Sequence, residues 1–476
     1  MKGVLALLSL IIAGLIIFAV PYTFGPNTSV YGTPFITVSD TAKAVFLCAV
    51  LASLAGLYSY RQGEDGGFLL KIFVSALLLR LILGTFIFVL SGQEFFGGDA
   101  LTYDYIGFAQ LKAWGGEGYF ETTVRSFVGS TGASAWGMIY FVAAVYGLIG
   151  RNMLAIQFIN SVLGALTAPI IFLCAQQVFS NRRVARLAAM AVAFYPSLVL
   201  WSSQGLKDGP IVFFLALCIL VTLKLGQKFS LKYLTVLAIS LLCLLSLRFY
   251  VFYMICVAIG GAFIIGMQAF TATSFIRQFA AIILLGMALT YVGITRSAAT
   301  QFEQYGNLQR VQVTRRDLAR SAQSGFGRDV DVSTTSGALS TIPIGILYLL
   351  FAPFPWQVVS LRQSITLPEM IVWWASFPLL VLGLWFAIRY RLRMISPILI
   401  FTVMLSVAYS VFQGNVGTAY RQRAQLLVFY FIFVSAGFVL LQEKREERKR
   451  QRLSRRQEFE AQQALSYSAR VTRRYK

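Results

Sequence analysis

Residues 72–104 read IFVSALLLRLILGTFIFVLSGQEFFGGDALTYD, a long apolar run followed shortly by a carboxylate, Asp99. An apolar run of about 20 residues matches the hydrocarbon thickness of a bilayer, so this run predicts a transmembrane helix. A carboxylate at the end of such a helix is costly to desolvate, and such groups usually mark a function. The chain contains no histidine. Proton abstraction would therefore fall to a carboxylate or, as weaker candidates, to Lys, Tyr or Cys.

The composition extends this interpretation to the whole chain. Of 476 residues, 57% are hydrophobic and 13% are charged, with a mean hydropathy of +0.71. The net charge of +22 is concentrated in the tail Glu443–Lys476 and at the ends of apolar runs. That distribution is typical of positive-inside topology and not of a nucleic-acid-binding module. The five cysteines lie inside apolar runs, which predicts buried thiols and neither disulfides nor metal ligands.

The charge pattern also predicts the topology. The basic tail places the C-terminus in the cytoplasm, and Arg389, Arg391 and Arg393 mark a cytoplasmic turn. The apolar stretches 136–149 and 342–354 are short for spans and are expected at the outer surface. We therefore predict an all-α polytopic membrane protein of about 12 spans with both termini inside. The alternative, about 13 or 14 crossings, would place Asp99 and Asp208 on opposite faces.

The boundaries of the apolar runs divide the chain into five predicted regions. Two of them contain large external loops with juxtamembrane helices. The basic tail is expected to form a solvated helix against the anionic inner leaflet. The regions are an N-terminal two-span extension (1–67), a transmembrane module (68–294) with the first external loop (93–152), a second external loop (295–368), C-terminal spans (369–441) and the tail (442–476).

In this topology the outer face gathers carboxylates and arginines, whereas an alternating-access carrier places polar groups near the midplane. Asp99 has two compatible interpretations, a cap for a helix over 101–114 and a general base. Asp208 either starts a helix or has a function in the site. The function would be to position Lys207 toward an anion or to complete a magnesium or manganese site with Asp99.

Three arginines of the outer face, Arg248, Arg421 and Arg423, need a balancing anion. A lipid-linked phosphate is a natural partner because guanidinium binds phosphate oxygens bidentately. The alternative is snorkelling of these side chains to lipid headgroups. The external segment 295–340 is polar and is expected to form a mobile loop over the site. It carries Arg296, Arg310, Arg315, Arg316, Arg320 and Arg328.

Four further residues are candidates for substrate binding. Tyr103 and Asp104 follow Asp99 in the first external loop. Trp356 lies in the aromatic segment Pro353-Phe354-Pro355-Trp356, and Glu369 follows it before Trp373 and Trp374. That segment is either an interfacial aromatic belt or a platform for a sugar or an isoprenoid, with Glu369 as a third functional acid.

The external Gly98-Asp99 with a Tyr shortly after, the helical pair, and the span to Pro196 and on to Lys207-Asp208 resemble GT-C glycosyltransferases. The resemblance covers roughly residues 70–250 and is greatest to the branch of protein O-mannosyltransferases and lipid A aminoarabinose transferases, glycosyltransferase family 39. It implies a GT-C-like fold, an isoprenoid-phosphate-linked sugar as donor, transfer on the extracytoplasmic face and inversion at the anomeric carbon. It also implies that Asp99 is the catalytic base, Asp208 the second acid, and Arg248 or Arg421 a ligand of the donor phosphate. Ala100 stands where the family often has Glu, which leaves the acceptor class open.

The sequence thus predicts an integral membrane glycosyltransferase of a bacterial inner membrane. Its expected partners are the lipid-linked sugar, the bilayer and a glycan, lipid or protein acceptor, without nucleic acid. One alternative is a polysaccharide polymerase or ligase acting on lipid-pyrophosphate-linked glycans, in which the arginines carry the chemistry. Another is a flippase or transporter of lipid-linked glycans. The transporter predicts polar groups through the midplane, where Arg80 is the main charged residue.

Overall fold

A computed structural model describes residues 2–23, 36–90, 98–130, 136–265, 306–320, 325–327, 330–358 and 361–474, with the isolated positions 283, 286 and 287. These residues are almost entirely α-helical, so the predicted all-α class is confirmed. Short 3₁₀ turns occur at Gly63–Asp65 and Pro355–Gln357. The α-helices are α1 (Lys2–Thr23), α2 (Val38–Tyr60), α3 (Gly66–Val89), α4 (Asp99–Trp114), α5 (Gly118–Ser130), α6 (Trp136–Ile149), α7 (Met153–Phe179), α8 (Arg182–Phe194), α9 (Pro196–Ser202), α10 (Asp208–Gln227), α11 (Leu231–Leu247), α12 (Phe249–Ile265), α13 (Leu308–Arg320), α14 (Thr335–Phe351), α15 (Leu361–Ser364), α16 (Leu367–Phe412) and α17 (Val416–Arg474).

Polar residues at the helix starts explain several of these boundaries. Thr37 and Asp40 form a capping box at α2, in which Oγ1 of Thr37 accepts from the Asp40 amide over 3.1 Å. Asn152 caps α7 by accepting from the Ala155 amide, and Asn181 caps α8. Such side chains satisfy backbone N–H groups that have no partner within the first turn.

Six helices of the described residues, α2, α3, α7, α10, α16 and α17, are long and apolar enough to cross a membrane. The pair α8 and α9, bent by 55°, would make a seventh. Apolar helices of 10–17 residues include α6 and α14. They contain the stretch 136–149 and most of the stretch 342–354, the two that the sequence places at the outer surface. The helices support a multi-pass membrane protein, and the total of about 12 spans stays a prediction.

The 46-residue helix α16 contains two segments that run in opposite directions. Arg391 departs from helical geometry (φ −134°, ψ 19°) and separates them. Glu369, near one end of α16, bonds Tyr420 of α17, and Tyr409, near the other end, bonds Gln425. Both ends of α16 therefore lie beside the start of α17, and the chain reverses at the turn that the arginine cluster predicts.

Small residues let the first segment of α16 pack tightly on α17. A Cβ atom added to Gly383 would lie 1.9 Å from the carbonyl oxygen of Phe433, and one added to Gly437 would lie 2.0 Å from that of Leu379. Backbones approach this closely only where side chains are small, a common arrangement between membrane helices. This contact fixes the rotation of α17, the helix that carries Arg421.

The charged residues separate to two ends of the helical bundle. At one end, Arg186 bonds Asp65 over 2.8 Å and Arg183 pairs with Glu446. At the other end lie Asp99 and Asp208. The sequence assigns the first group to the cytoplasm and the second to the outer face, and the structure keeps the two groups apart. Which end faces the cytoplasm stays a prediction.

Candidate functional site

Asp99 is the first residue of α4, and its carboxylate bonds Arg421. The N-cap residue is Gly98, and no side chain makes a capping hydrogen bond at this helix start. Nη1 of Arg421 donates to Oδ2 of Asp99 over 2.6 Å. The Asp99 side chain is 52% exposed, and its Oδ1 has no hydrogen bond to a described residue. The capping interpretation is therefore not supported by a hydrogen bond, and one carboxylate oxygen can meet a substrate.

The guanidinium of Arg421 joins two carboxylates that lie far apart in the sequence. Its Nε donates to Oδ2 of Asp208 over 2.7 Å, and its Nη2 approaches the same oxygen at 2.5 Å. The ring of Trp201 lies 5.7 Å from the guanidinium carbon, within the range of a cation–π contact. Asp208 itself is buried, with 2% of the residue exposed. The fold thus brings Asp99 and Asp208 together through one arginine.

A second arginine, Arg248, lies on the other side of Asp208. Its Nη2 is 3.4 Å from Oδ1 of Asp208, and its Nη1 is 3.4 Å from the hydroxyl of Tyr409. That hydroxyl donates to Oε1 of Gln425 over 3.0 Å. Arg248 is the C-cap residue of α11, between α11 and α12. The buried carboxylate of Asp208 is therefore balanced by two arginines, which a buried charge requires.

Lys207 and Tyr103 complete this group, which we call the Asp–Arg cluster (Tyr103, Asp99, Lys207, Asp208, Arg248 and Arg421). Burial and the neighbouring charge of Arg248 lower the pKa of Lys207 to about 7. Burial also raises the pKa of the Tyr103 phenol, and the charges of Asp99 and Asp208 raise it further. Tyr103 is therefore a neutral hydroxyl at neutral pH, whereas Lys207 changes its charge there.

Two polar residues inside apolar helices position the segment between α9 and α10. Nε of Arg80 donates to Oγ of Ser202 over 2.8 Å, and its Nη1 donates to the Ala193 carbonyl over 2.8 Å. Nδ2 of Asn160 donates to the carbonyls of Gln204 and Leu206 over 2.7 and 2.8 Å. The sequence did not predict a role in the site for either residue. The available signal was a polar side chain within an apolar run.

The second external segment packs on the turn that precedes Arg421. Nη1 of Arg315, on α13, donates to the carbonyl of Val411 at the end of α16 over 2.8 Å. The Phe326 amide donates to the carbonyl of Gly414 over 2.8 Å. Arg315 is therefore buried and bonded to the protein backbone, whereas Arg310, Arg316 and Arg320 on the same helix are exposed. Arg296 and Arg328 lie outside the described residues, so the predicted mobile loop is only partly described.

Two predicted substrate residues lie apart from the Asp–Arg cluster. Asp104 is 2% exposed and accepts from the hydroxyl of Tyr146 and from Nη2 of Arg151, each over 2.5 Å. These contacts join α4 to α6 and to the start of α7, so Asp104 has a visible structural role. Trp356 is 78% exposed, and its ring stacks on Phe354 with a centroid separation of 5.1 Å.

Glu369 and Arg423 are buried and both contact Tyr420. Oε2 of Glu369 accepts from the hydroxyl of Tyr420 over 2.8 Å. Arg423 is 1% exposed, and it donates to the carbonyl of Ala352 and lies 3.0 Å from the sulfur of Met370. Tyr420 and Arg423 lie on other faces of α17 than Arg421. The side chain of Arg423 is therefore directed away from that of Arg421. Phosphate binding by Arg423 and substrate binding by Glu369 stay predictions.

The Asp–Arg cluster does not fit a divalent metal ion. Asp99 and Asp208 are joined by a guanidinium, and Arg248 and Lys207 place further positive charge around them. Magnesium and manganese prefer several oxygen ligands. Within the described part of the chain, no group of three or more His, Cys, Asp or Glu side chains could hold a metal. The predicted metal at Asp99 and Asp208 gains no support from this arrangement.

The charges of the Asp–Arg cluster allow it to bind an anion beside the carboxylate of Asp99, which can accept a proton. Two arginines and one lysine face two carboxylates, so the cluster carries a net positive charge whenever Lys207 is protonated. Arg421 remains accessible, with a side chain 16% exposed. Guanidinium groups bind phosphate oxygens strongly in partly dehydrated sites. The cluster can therefore bind a phosphate next to the Oδ1 atom of Asp99.

The family model for dolichyl-phosphate-mannose-protein mannosyltransferase matches residues 135–293 of the chain. The match covers about a third of the chain and confirms the resemblance to GT-C superfamily membrane glycosyltransferases. The matched region contains Lys207, Asp208 and Arg248, whereas Asp99 and Arg421 lie outside it. A comparison with curated proteins gives no match.

Solved structures similar to this chain include three of the oligosaccharyltransferase of the archaeon Archaeoglobus fulgidus. The apo form is 13% identical, with 66% of this chain and 43% of that chain covered and a TM-score of 0.39. A complex with an inhibitory peptide and a dolichol-phosphate is 12% identical, with the same coverages and TM-score. A complex with Zn and sulfate is 13% identical, with 66% and 42% covered and a TM-score of 0.40. The chain spans less than half the length of these proteins, and similarity at this level carries no information about the site.

Proposed function

We propose that this protein is an integral membrane glycosyltransferase that uses an isoprenoid-phosphate-linked sugar as donor. Transfer takes place on the extracytoplasmic face, to a glycan, lipid or protein acceptor, with inversion at the anomeric carbon. The observation that carries the proposal is the arrangement of Arg421, which bonds the exposed Asp99 and the buried Asp208 at once. The proposed proton acceptor, Asp99, is thus in direct contact with the proposed phosphate ligand, Arg421.

In the proposed reaction, Asp99 acts as the general base. Its free Oδ1 takes the proton of the acceptor hydroxyl as the acceptor oxygen attacks the anomeric carbon. The bond from that carbon to the phosphate oxygen breaks, and isoprenyl phosphate leaves with the electron pair. Attack from the face opposite the phosphate gives the inverted product. A positioned base contributes about 10²–10⁴-fold to such a reaction.

Arg421, Arg248 and Lys207 stabilise the departing phosphate in this scheme. Fixed positive groups aimed at developing charge are effective in a site that is largely shielded from water. A phosphate leaving group needs charge neutralisation and no protonation, which suits a chain without histidine. Asp208 holds Arg421 and Arg248 in place through its two oxygens and is a positioning residue in this scheme.

The test is the release of isoprenyl phosphate by Asp99→Asn protein held in nanodiscs. The amide keeps the size of the side chain and the contact to Arg421 but cannot take the proton. We expect a folded variant whose kcat is reduced about 10²–10⁴-fold. Thermal unfolding serves as the fold control. Glu117→Gln serves as the matched substitution, since Glu117 is an exposed carboxylate of the same predicted external loop and pairs with a basic side chain, Lys112.

Normal turnover by Asp99→Asn would contradict the proposed base. If Arg421→Ala were inactive while Asp99→Asn remained active, the arginine-led polymerase or ligase would be favoured instead. Movement of a lipid-linked glycan across the membrane without covalent transfer would favour the transporter.

A further inference from the structure

The first external loop forms a cavity between α4, α5 and α6, away from the Asp–Arg cluster. We call it the loop-helix pocket. Its volume is about 360 Å³, and its walls include Ile139 and Val124. Small-molecule sites in proteins commonly have volumes from about 300 Å³ upward. Gln110 of this pocket follows Asp99 by 11 residues on the same helix, which is about 16 Å along the axis.

The wall of the pocket on α6 is aromatic and accessible. Trp136 is 39% exposed and Tyr140 is 44% exposed. Their ring centroids are 5.3 Å apart with an interplanar angle of 67°, and Trp114 contacts Tyr140 in the same edge-on manner at 5.5 Å. These contacts hold the rings in a fixed orientation. Rings held in this way offer a rigid surface to the C–H face of a ligand.

Polar groups complete the pocket. Gln110 is only 7% exposed, and its side chain makes no hydrogen bond to any residue that the structure describes. Gln110 lines the pocket, so its amide can donate a hydrogen bond to a ligand and accept one from it. At the rim, Nη2 of Arg125 and Oε1 of Glu121 pair over 2.7 Å and can exchange hydrogen bonds with hydroxyl groups.

We propose that the loop-helix pocket binds a sugar unit of the acceptor. A pyranose ring has an apolar C–H face for the aromatic wall and hydroxyl groups that both donate and accept, as the Gln110 amide requires. An acyl or isoprenyl chain would offer the Gln110 amide no hydrogen bond. The inference rests on the proposed function and deepens it. The acceptor is a glycan. Its reacting hydroxyl reaches Asp99, and the sugar at its other end occupies this pocket.

The test is the binding of free trisaccharides to the full chain in detergent, measured by saturation-transfer NMR. The probes are mannotriose, cellotriose, chitotriose and maltotriose. We expect at least one to bind, and Trp136→Ala and Gln110→Met each to weaken that binding about tenfold or more. Gln110→Met retains the volume of the side chain and removes only its hydrogen-bonding groups. Trp385→Ala, at an exposed tryptophan on α16 (59% exposed), is the matched control and should bind normally.

This assay needs neither donor nor turnover, so Asp99→Asn should bind the trisaccharide normally even though it is inactive. Failure of the proposed transfer reaction would therefore leave the binding result intact. In a transfer assay, the pocket variants should raise the KM for a glycan acceptor and leave the KM for the donor unchanged. The inference is overturned if the wild type binds none of the probes, if binding survives both pocket substitutions, or if glycerophosphoglycerol, a lipid headgroup, displaces the sugar.

Discussion

At the scale of single residues, Arg421 is the side chain on which the Asp–Arg cluster depends. It bonds both Asp99 and Asp208. Tyr420 and Arg423, close to it on α17, contact other residues. Asp208 is buried, so the loss of one arginine leaves a charge only partly compensated. Removing one member of a buried pair is therefore more costly than neutralising both.

A residue-scale prediction concerns stability. Arg421→Ala should lower the free energy of unfolding by about 3 kcal/mol because Asp208 then loses its shortest ion pair and keeps only the longer contact to Arg248 and the nearby Lys207. The double variant Arg421→Ala/Asp208→Asn should recover part of that loss, since the buried charge is removed as well. Thermal unfolding in nanodiscs measures both. Equal stability of the single variant and the wild type would show that water, and not Arg421, compensates Asp208.

A second residue-scale prediction concerns pH. The pKa of Lys207 is lowered to about 7, so the charged ammonium is present below this pH and is lost as the pH rises through it. If the ammonium binds the donor phosphate, kcat/KM for the donor should fall above about pH 7 in the wild type. Lys207→Arg stays charged throughout and should remove this fall. A profile that is the same in both proteins would exclude Lys207 as the titrating group.

At the scale of helices, the break between α8 and α10 decides where Lys207 and Asp208 lie. Pro196 starts the short α9 at a bend of 55°, and Arg80 bonds residues on both sides of that bend. A fully buried arginine in a membrane helix is costly unless its N–H groups are paired. Here carbonyl and hydroxyl oxygens pair them, so Arg80 holds the broken helix in one geometry.

The element-scale prediction uses Gly164 on α7. A Cβ atom at this position would lie 2.4 Å from Cβ of Ser202 and 3.0 Å from Nε of Arg80. Gly164→Ala should therefore displace α9, destabilise the protein by about 1–3 kcal/mol and reduce kcat in the folded fraction. Gly260→Ala on α12, where the added atom meets nothing within 4 Å, is the matched control. A normal kcat in Gly164→Ala would exclude a positioning role for this contact.

At the scale of the whole molecule, the structure separates two sets of charged residues to opposite ends of the bundle. The Asp–Arg cluster and the loop-helix pocket occupy one end, and the contacts of Asp65, Arg186 and Glu446 occupy the other. The last helix α17 begins at the cluster and continues past Glu446 into the basic tail. One continuous element thus connects the proposed site to the opposite face.

The whole-molecule prediction concerns sidedness. Ser126 on α5 and Glu447 on α17 are both exposed, and all five native cysteines are buried or half-buried in helices. A membrane-impermeant maleimide should label Ser126→Cys in intact cells, and Glu447→Cys only after permeabilisation. The cysteine-containing wild type is the background control. Labelling of both variants from the same side would contradict the predicted topology.

The sequence by itself determined the all-helical membrane class, the turn at Arg391, and the residues Asp99, Asp208, Arg248 and Arg421 as candidates. These conclusions follow from local physics, because hydropathy, charge bias and the cost of a charge near lipid are properties of short segments. Only the tertiary structure decided which candidates meet. It joined Asp99 to Asp208 through Arg421 and paired Asp104 with Arg151 elsewhere. It also gave Arg80 its role. Such contacts depend on helix rotation and close packing, which sequence periodicity does not specify for helices apolar on every side.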